Sequence, residues 1–464
     1  MPSALSTIGS DTINDISSAH REPSWLREHR SNSLAIYEDL PIETSPLYTK
    51  YTDAERMDPA QVMISPHSDS VIPAVLKKRL EELQGKPHLI QVGTNIIVNI
   101  PDELLVKGLV ITPLEDALRE DGTIPRGIME SSDLQEDRFT ALNNAAFNSG
   151  FFIHIPRMLE IETPIHVVTS LATDGTSTIS QNIISAGEGS RSSVVQELYS
   201  PYSEGQQAYM ELLNARVANG AQMDITTLQV MDQSSVNFST RRTDIGQDAG
   251  VNWYLGLFGG MLSRYRIDYH LNGSGARTND SEVIFGSREQ SFDIQSNINH
   301  HAPATEGRVN EKSILRNRSK SLFKGMIRIM ENASKSSSFL SGRSILLDHD
   351  AKSEAIPGLE ILTNDVKATH SASVAQIDEE QIFYLQTRCL SKEESERTIV
   401  EGFLEPMSRK MSYQIRAWIA YLIESKWEGR DLRINTDQEL AKFIEVEETR
   451  YNEDTEIEQH YKYR

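Results

Sequence analysis

The sequence predicts a mainly β protein, a solenoid of stacked coils held between two helical ends. Three observations predict it. The middle of the chain contains no convincing long helix, its short β-branched runs are broken throughout by Gly, Asn, Ser and Asp, and turn clusters recur along it at irregular intervals. A hairpin meander would show closer turns, and a β-sandwich suits short strands too, but the long helix-free stretch favours stacked coils. At 464 residues the chain exceeds one ordinary domain. Three regions differ in texture: 1–136, mostly helical; 137–385, the β core; and 386–464, helical again.

In the first region, Met1 to His20 carries few apolar residues and reads as disordered. Trp25, Leu26, His29, Ser33, Ile36 and Leu40 then recur at helical spacing until Pro41. Val71 to Gly85 reads as a second helix, with Val75, Leu76, Leu80 and Leu83 on one side. Strand texture follows at Val92, Ile96-Ile97-Val98 and Leu109-Val110-Ile111. In the core the runs include Ile165-His166-Val167-Val168, Met223 to Leu228 and Met326 to Ile329. The turn clusters include Gly187-Glu188-Gly189, Gly220-Ala221, Asp248-Ala249-Gly250, Gly273-Ser274-Gly275 and Ala333-Ser334-Lys335. Gly256-Leu257-Phe258-Gly259-Gly260 reads as a tight bend between coils. In the third region Ser391 and Glu394 form a capping-box pair, followed by the stripe Ile399, Val400, Phe403 and Leu404. A second helix over Tyr413 to Trp427 stops at Gly429, and the charged tail from Glu445 reads as disordered rather than as a surface helix.

Composition narrows the function. The balance of 46 basic against 67 acidic residues, a net −21, disfavours a nucleic-acid partner, because phosphate binding wants Lys and Arg in excess. Met1 to Asp15 lacks the apolar core of a secretory signal and no membrane span is visible, so a cytoplasmic location is expected. The single cysteine, Cys389, excludes a disulfide within the chain and a Cys-only metal cage within the chain. No Gly-x-x-x-x-Gly-Lys-Ser/Thr loop occurs, so the chain is not expected to hydrolyse ATP itself.

Three stretches carry a family resemblance. The strongest runs from Leu359-Glu360-Ile361 through Asp365-Val366-Lys367 to His370, then Ile377-Asp378 and Phe383-Tyr384-Leu385 before Arg388. The second is Ala141 to Pro156, and the third is Glu22-Pro23-Ser24-Trp25 with Arg30. Together, in this order, they resemble the SufB/SufD family of iron–sulfur cluster assembly proteins. The resemblance implies a right-handed parallel β-helix flanked by helical regions, and a scaffold role without catalysis. It implies pairing with a SufB-like paralogue, or with a second copy in a reduced system. It implies a SufC-type ATPase docked on the C-terminal helices, where Ile399, Phe403 and Leu404 are the expected contacts. A transient iron–sulfur cluster would form at the subunit interface. His370 stands where the family has its histidine, and imidazole is a competent iron ligand. One histidine is not a cage, so the other ligands would come from a partner, and hydrogen bonding across an interface is the alternative role.

Departures from the family place the chain on its SufD-like side. No cysteine occurs in the β region to accept sulfur, Ala368 stands where some members have Cys, and Ser371 stands where SufB-like members carry a carboxylate. Cys389 replaces a usual glycine and reads as a small packing residue. Elsewhere, His300 and His301 should point to opposite faces of a strand, which prevents both from ligating one metal, and His349 reads as packing or surface. Ser334 to Ser338 reads as a solvated turn or polar ladder. A β-helix carbohydrate-active enzyme is the competing class, for which Asp348 and Asp350 could supply the carboxylate pair, although no secretion signal is visible.

Overall fold

A computed structural model describes residues 8–51, 64–68, 71–120, 122–173, 175–201, 205–408, 411–430, 432, 438 and 440–450. The N-terminal elements are α1 (Ser10–Ala19), α2 (Ser24–Asp39), α3 (Ala74–Glu82), β1 (His88–Val92) and β2 (Asn95–Asn99). They continue with α4 (Asp102–Val106), β3 (Val110–Pro113), α5 (Leu114–Glu120), α6 (Thr123–Met129) and α7 (Arg138–Ala146). The coils begin with β4 (Phe151–Ile155), β5 (Ile165–Ser170), β6 (Thr178–Ala186), β7 (Arg191–Tyr199) and β8 (Gln207–Val217). Next are β9 (Gln222–Gln229), β10 (Ser235–Ile245), β11 (Gly250–Leu257), β12 (Leu262–Leu271) and β13 (Arg277–Gly286). The last coils hold β14 (Ser291–His300), β15 (Glu306–Leu315), β16 (Lys320–Ile329), β17 (Ser337–Leu346), β18 (Lys352–Ile361) and β19 (Lys367–Gln376). The chain then forms α8 (Glu379–Gln386), α9 (Lys392–Ser408) and α10 (Tyr413–Trp427).

From β4 onward, alternate strands go to alternate sheets. The odd-numbered strands from β5 on join β1 and β2 in a ten-stranded sheet in the order β19-β17-β15-β13-β11-β9-β7-β5-β1-β2. The other nine lie in the order β18-β16-β14-β12-β10-β8-β6-β4-β3. Each strand from β5 to β19 pairs in parallel with the strand one coil away, as in Ser291↔Lys320 and Lys320↔Lys352. This is a parallel β-helix, as the sequence predicts. Two antiparallel strands, β2 on β1 and β3 on β4, end the sheets at the N-terminal side.

One corner explains the recurring turn clusters. Gly189, Gly220, Asp248, Gly275, Ala304 and Lys335 all have positive φ, one on each successive coil. Each donates its backbone N–H to the coil that follows, as from Gly220 to Gln247 O and from Asp248 to Ser274 O. The left-handed conformation turns the chain sharply, and glycine adopts it without a Cβ penalty.

Three apolar clusters hold the layers. The coil interior contains Trp253, Tyr265, Ile294, Val309, Phe323 and Leu340. The N-terminal helices cover the outer face of the nine-stranded sheet through Phe139, Leu142, Ile183 and Phe238. Helices α3, α9 and α10 cover the outer face of the ten-stranded sheet through Leu76, Leu404, Trp418, Leu422 and Phe285. The Glu22 and Arg30 of the third motif form a buried bidentate ion pair, at 2.6 and 2.8 Å, and Arg30 also donates to Ala145 O and Phe147 O. That motif therefore pins α2 to α7, the helix of the second motif.

Several sequence expectations change. Residues 10–19 are helical, because Ile13 and Ile16 bury against α2 and its neighbours despite a polar local composition. The middle region does contain helices. In α7 every residue from Phe139 to Ala146 is buried, so its small and amide side chains show no amphipathic stripe to detect. In α8, Phe383 and Tyr384 are helical and exposed, capped by Asp378 accepting from Glu380 N and Gln381 N. Residues 445–450 are helical too, and the tail beyond them and the Val75 side chain lie outside the described residues. The expected caps form: Glu394 N donates to Ser391 Oγ while Ser391 N donates to Glu394 Oε2, and Gly429 adopts φ +67 after α10.

Candidate functional site: the open end of the solenoid

The C-terminal end of the β-helix is uncapped by strands. β18 and β19 are the edges of their sheets, so among the described residues one side of each backbone ladder has no strand partner. Parallel in-register neighbours carry their side chains on the same face. Phe323↔Ala355, Ile327↔Leu359 and Ile329↔Ile361 therefore bring Ala355, Leu359 and Ile361 to the lumen side of β18. On β19, Leu340↔His370, Gly342↔Ala372 and Ser344↔Val374 do the same for His370, Ala372 and Val374. Leu359, Ile361 and Val374 are 37%, 41% and 42% exposed, and Leu362 beside them is 52% exposed. The mouth is an apolar rim carrying one exposed imidazole.

His370 has no hydrogen-bond or ion-pair partner among the described residues. Its neighbour Ser371, on the outer face, bonds Ser341 Oγ at 3.0 Å. Among the described residues no group of three His, Cys, Asp or Glu side chains is placed to hold a metal ion. An isolated imidazole at an open rim can supply one nitrogen to a shared centre, and no group of ligands among the described residues completes it.

Below the rim the lumen is not purely apolar. Arg241 and Glu211 form a fully buried pair at 2.9 Å, and Arg241 also bonds Gln196 and Thr227. Nearer the mouth, Glu282 and Glu311 are register neighbours, and both are buried without a cation paired to them among the described residues. Burial raises the Glu311 carboxyl to about 8 and that of Asp280 to about 6, and raises Glu282 as well, with the neighbouring carboxylate Asp280 adding. These acids are flanked in the chain mostly by polar residues, such as Asn279, Ser281, Asn310 and Lys312, and carry no local sequence mark of being inward.

A family model described as "SUF system FeS cluster assembly, SufBD core domain" matches residues 168–403, just over half of the chain. The chain belongs to the SufBD family. Among its relatives are iron–sulfur cluster assembly SufBD family proteins of Staphylococcus epidermidis and Staphylococcus haemolyticus, each 25% identical over 433 residues. One from Staphylococcus aureus is 24% identical over the same length. Each match covers 90% of this chain and 92% of the relative.

Within this SufBD frame the other sequence candidates find their places. Cys389 is exposed, not packed, and has φ +72, which accounts for a preference for glycine there. Leu404, expected to face an ATPase, is only 5% exposed because α9 lies against the chain's own ten-stranded sheet. Ile399 and Phe403 are half-buried, and Lys312 Nζ donates to Phe403 O and sits 4.7 Å over its ring. Lys426 on α10 is buried, with Nζ 2.8 Å from Phe258 O and bonded to Gln290 Oε1. Asp348 accepts from Asn317 N at 2.6 Å and anchors a corner between coils. Ser336 bonds Thr305 Oγ1 at 2.7 Å and Ser338 donates to Gly307 O, a polar ladder between coils. His349 meets Gln376 at the surface. A Cβ on Gly259 would lie 2.2 Å from Met231 O, so the Gly-rich bend is a place where neighbouring coils approach too closely for a side chain. No helix among the described residues is long and apolar enough to cross a membrane.

Proposed function

We propose that this chain is a non-catalytic, SufD-like scaffold subunit of a cytoplasmic SUF assembly. It pairs end to end with a SufB-like subunit through the open mouth of its solenoid, and a SufC-type ATPase docks on its C-terminal helices. The observation that carries this reading is the two edge strands, β18 and β19, each with one side lacking a strand partner among the described residues, with an apolar rim around His370. An exposed edge invites strand addition from another chain, and burying the rim adds apolar area to that pairing. The nascent iron–sulfur cluster is cargo. His370 offers it one borderline nitrogen ligand, and thiolate ligands come from the partner, since the only cysteine here lies outside the β-helix.

The ATPase surface is the outer side of α9 with the half-buried Ile399 and Phe403 at its margin, while Leu404 acts by seating α9. The test is co-expression with a cysteine-bearing paralogue and the ATPase, followed by anaerobic iron and sulfide analysis of the purified complex. Recovery of a three-protein complex whose cluster content falls in His370→Ala supports the reading. Failure to recover either partner overturns it. A homodimer that binds the ATPase without a paralogue would replace the heterodimer with a self-paired scaffold.

A further inference from the structure

Away from the mouth, two histidines meet on the outer wall of the nine-stranded sheet. His270 lies on β12, in register with Asp244 on β10 and Asn299 on β14. His301 follows the last residue of β14, and neighbouring residues of an extended chain face opposite ways. His300 accordingly turns inward, with Nδ1 2.7 Å from Thr305 Oγ1, and His301 turns out over His270. The two outer rings are parallel to within 8°, with centroids 5.5 Å apart. His270 Nδ1 stands 3.2 Å from His301 Nε2.

We propose that His270 and His301 form a two-histidine surface site for a borderline first-row divalent cation such as Zn(II), with water completing its coordination. Two nitrogens each about 2.0–2.1 Å from one tetrahedral ion lie roughly 3.4 Å apart, close to the separation already present. Without metal, the N–H of one ring fills that gap; a cation bound between the two nitrogens requires that ring to carry its proton on its other nitrogen. Arg242 and Asp244 are charged neighbours of both rings. His270 Nε2 is buried without a hydrogen-bond partner among the described residues, so no competing bond fixes the tautomer of that ring. The Asp244 carboxylate offsets part of the Arg242 charge. It accepts from Asn272 Nδ2 at 3.0 Å and from Arg242 at 3.2 Å. It is held beside the pair and is not a third ligand, since no three-residue cage exists among the described residues. The site uses neither His370 nor the solenoid mouth, so it stands independently of the scaffold reading.

Calorimetric titration of the full chain with Zn(II), near neutral pH, tests this. The wild-type and His370→Ala proteins should each bind one saturable equivalent through this pair. His301→Ala should lose that equivalent, or bind it about tenfold or more weakly. His301 is half-buried at the surface. His301→Asn serves as a second variant that keeps the size and polarity of the position. Zn(II) should raise the melting temperature of the wild type and of His370→Ala but not of either His301 variant. Absence of saturable Zn(II) binding in the wild type overturns the proposal. So does unchanged affinity and unchanged thermal shift in a folded His301 variant.

Discussion

Replacing Lys426 with methionine should stabilise the protein, and the structure sets the size and sign of the effect. Lys426 reaches from α10 into the contact with the ten-stranded sheet, where it is buried and bonds Phe258 O at 2.8 Å and Gln290 Oε1. Burial, with the positive charges of Arg288 and Arg316 adding, pushes its ammonium down from 10.5 to about 7. That depression corresponds to roughly 5 kcal/mol of linkage. The sign follows from proton counting. Between about pH 7 and 10.5 the unfolded chain holds a proton that the folded chain has released, so the Lys426 contribution rises with pH. Below that window the folded protein carries a desolvated charge. Methionine matches the length of the stem and removes the charge. The acceptors keep other donors, because Gln290 Nε2 also reaches Phe258 O at 3.3 Å and Ser287 N donates to Gln290 Oε1 at 3.0 Å. After subtracting the lost charge-assisted bonds, Lys426→Met should gain on the order of 2–4 kcal/mol near pH 6. Urea unfolding followed by tryptophan fluorescence, at about pH 6 and about pH 9, measures it. The gain should shrink at the higher pH as the parent loses its buried charge. A variant less stable than the parent at both pH values, or a gain that does not depend on pH, would refute the reasoning.

The other predictions concern the lumen, the docking helices and the mouth. Glu311 has the opposite linkage: its carboxyl is raised by burial to about 8, so its contribution to stability falls as pH rises from about 4.5 to 8. Glu311→Gln should flatten that fall and be the more stable protein at about pH 8 by several kcal/mol, read from the same unfolding curves; an unaltered pH profile counts against a buried acid. Leu404→Ala should lower stability by about 2–5 kcal/mol, because the side chain is enclosed beneath α9, and should weaken ATPase capture as a consequence. Phe403→Ala should weaken capture in a pull-down at a smaller cost in stability, and undiminished recovery would move the docking surface elsewhere. The double change Leu359→Glu and Ile361→Glu should leave the melting temperature nearly unchanged, since both side chains are already partly exposed, yet abolish co-purification of the paired subunit. Retained pairing would place the subunit contact away from the mouth.

The corner column shows how much of the architecture was readable. At Gly189, Gly220 and Gly275 the turn chemistry is written in the residue type, and the spacing of those glycines led to stacked coils. The same corner is made by Ala304 and Lys335, where nothing local marks a left-handed residue; there the corner hydrogen bonds from the next coil hold the conformation. Strands β1 to β3 were legible as strands from their β-branched runs. Their incorporation into the two long sheets was not, because pairing depends on partners such as Val168 and Ile153, far along the chain. His370 was found through its surrounding motif. Its position at an open rim depends on the absence of a further strand beyond β19. Leu404 was read as apolar and helical, and its burial against the chain's own sheet was not legible, because an amphipathic stripe does not say which body it covers.

The sequence by itself determined the solenoid class, the helix caps at Ser391 and Gly429 and the family, because turn residues, caps and contiguous motifs act over a few positions. Only the tertiary structure decided which side chains meet across coils. His270 and His301 are 31 residues apart in the chain and touch. Glu282 and Glu311 become buried neighbours in the same way. Such contacts depend on the length of every intervening coil and on the stacking register, and no local pattern of residues encodes either.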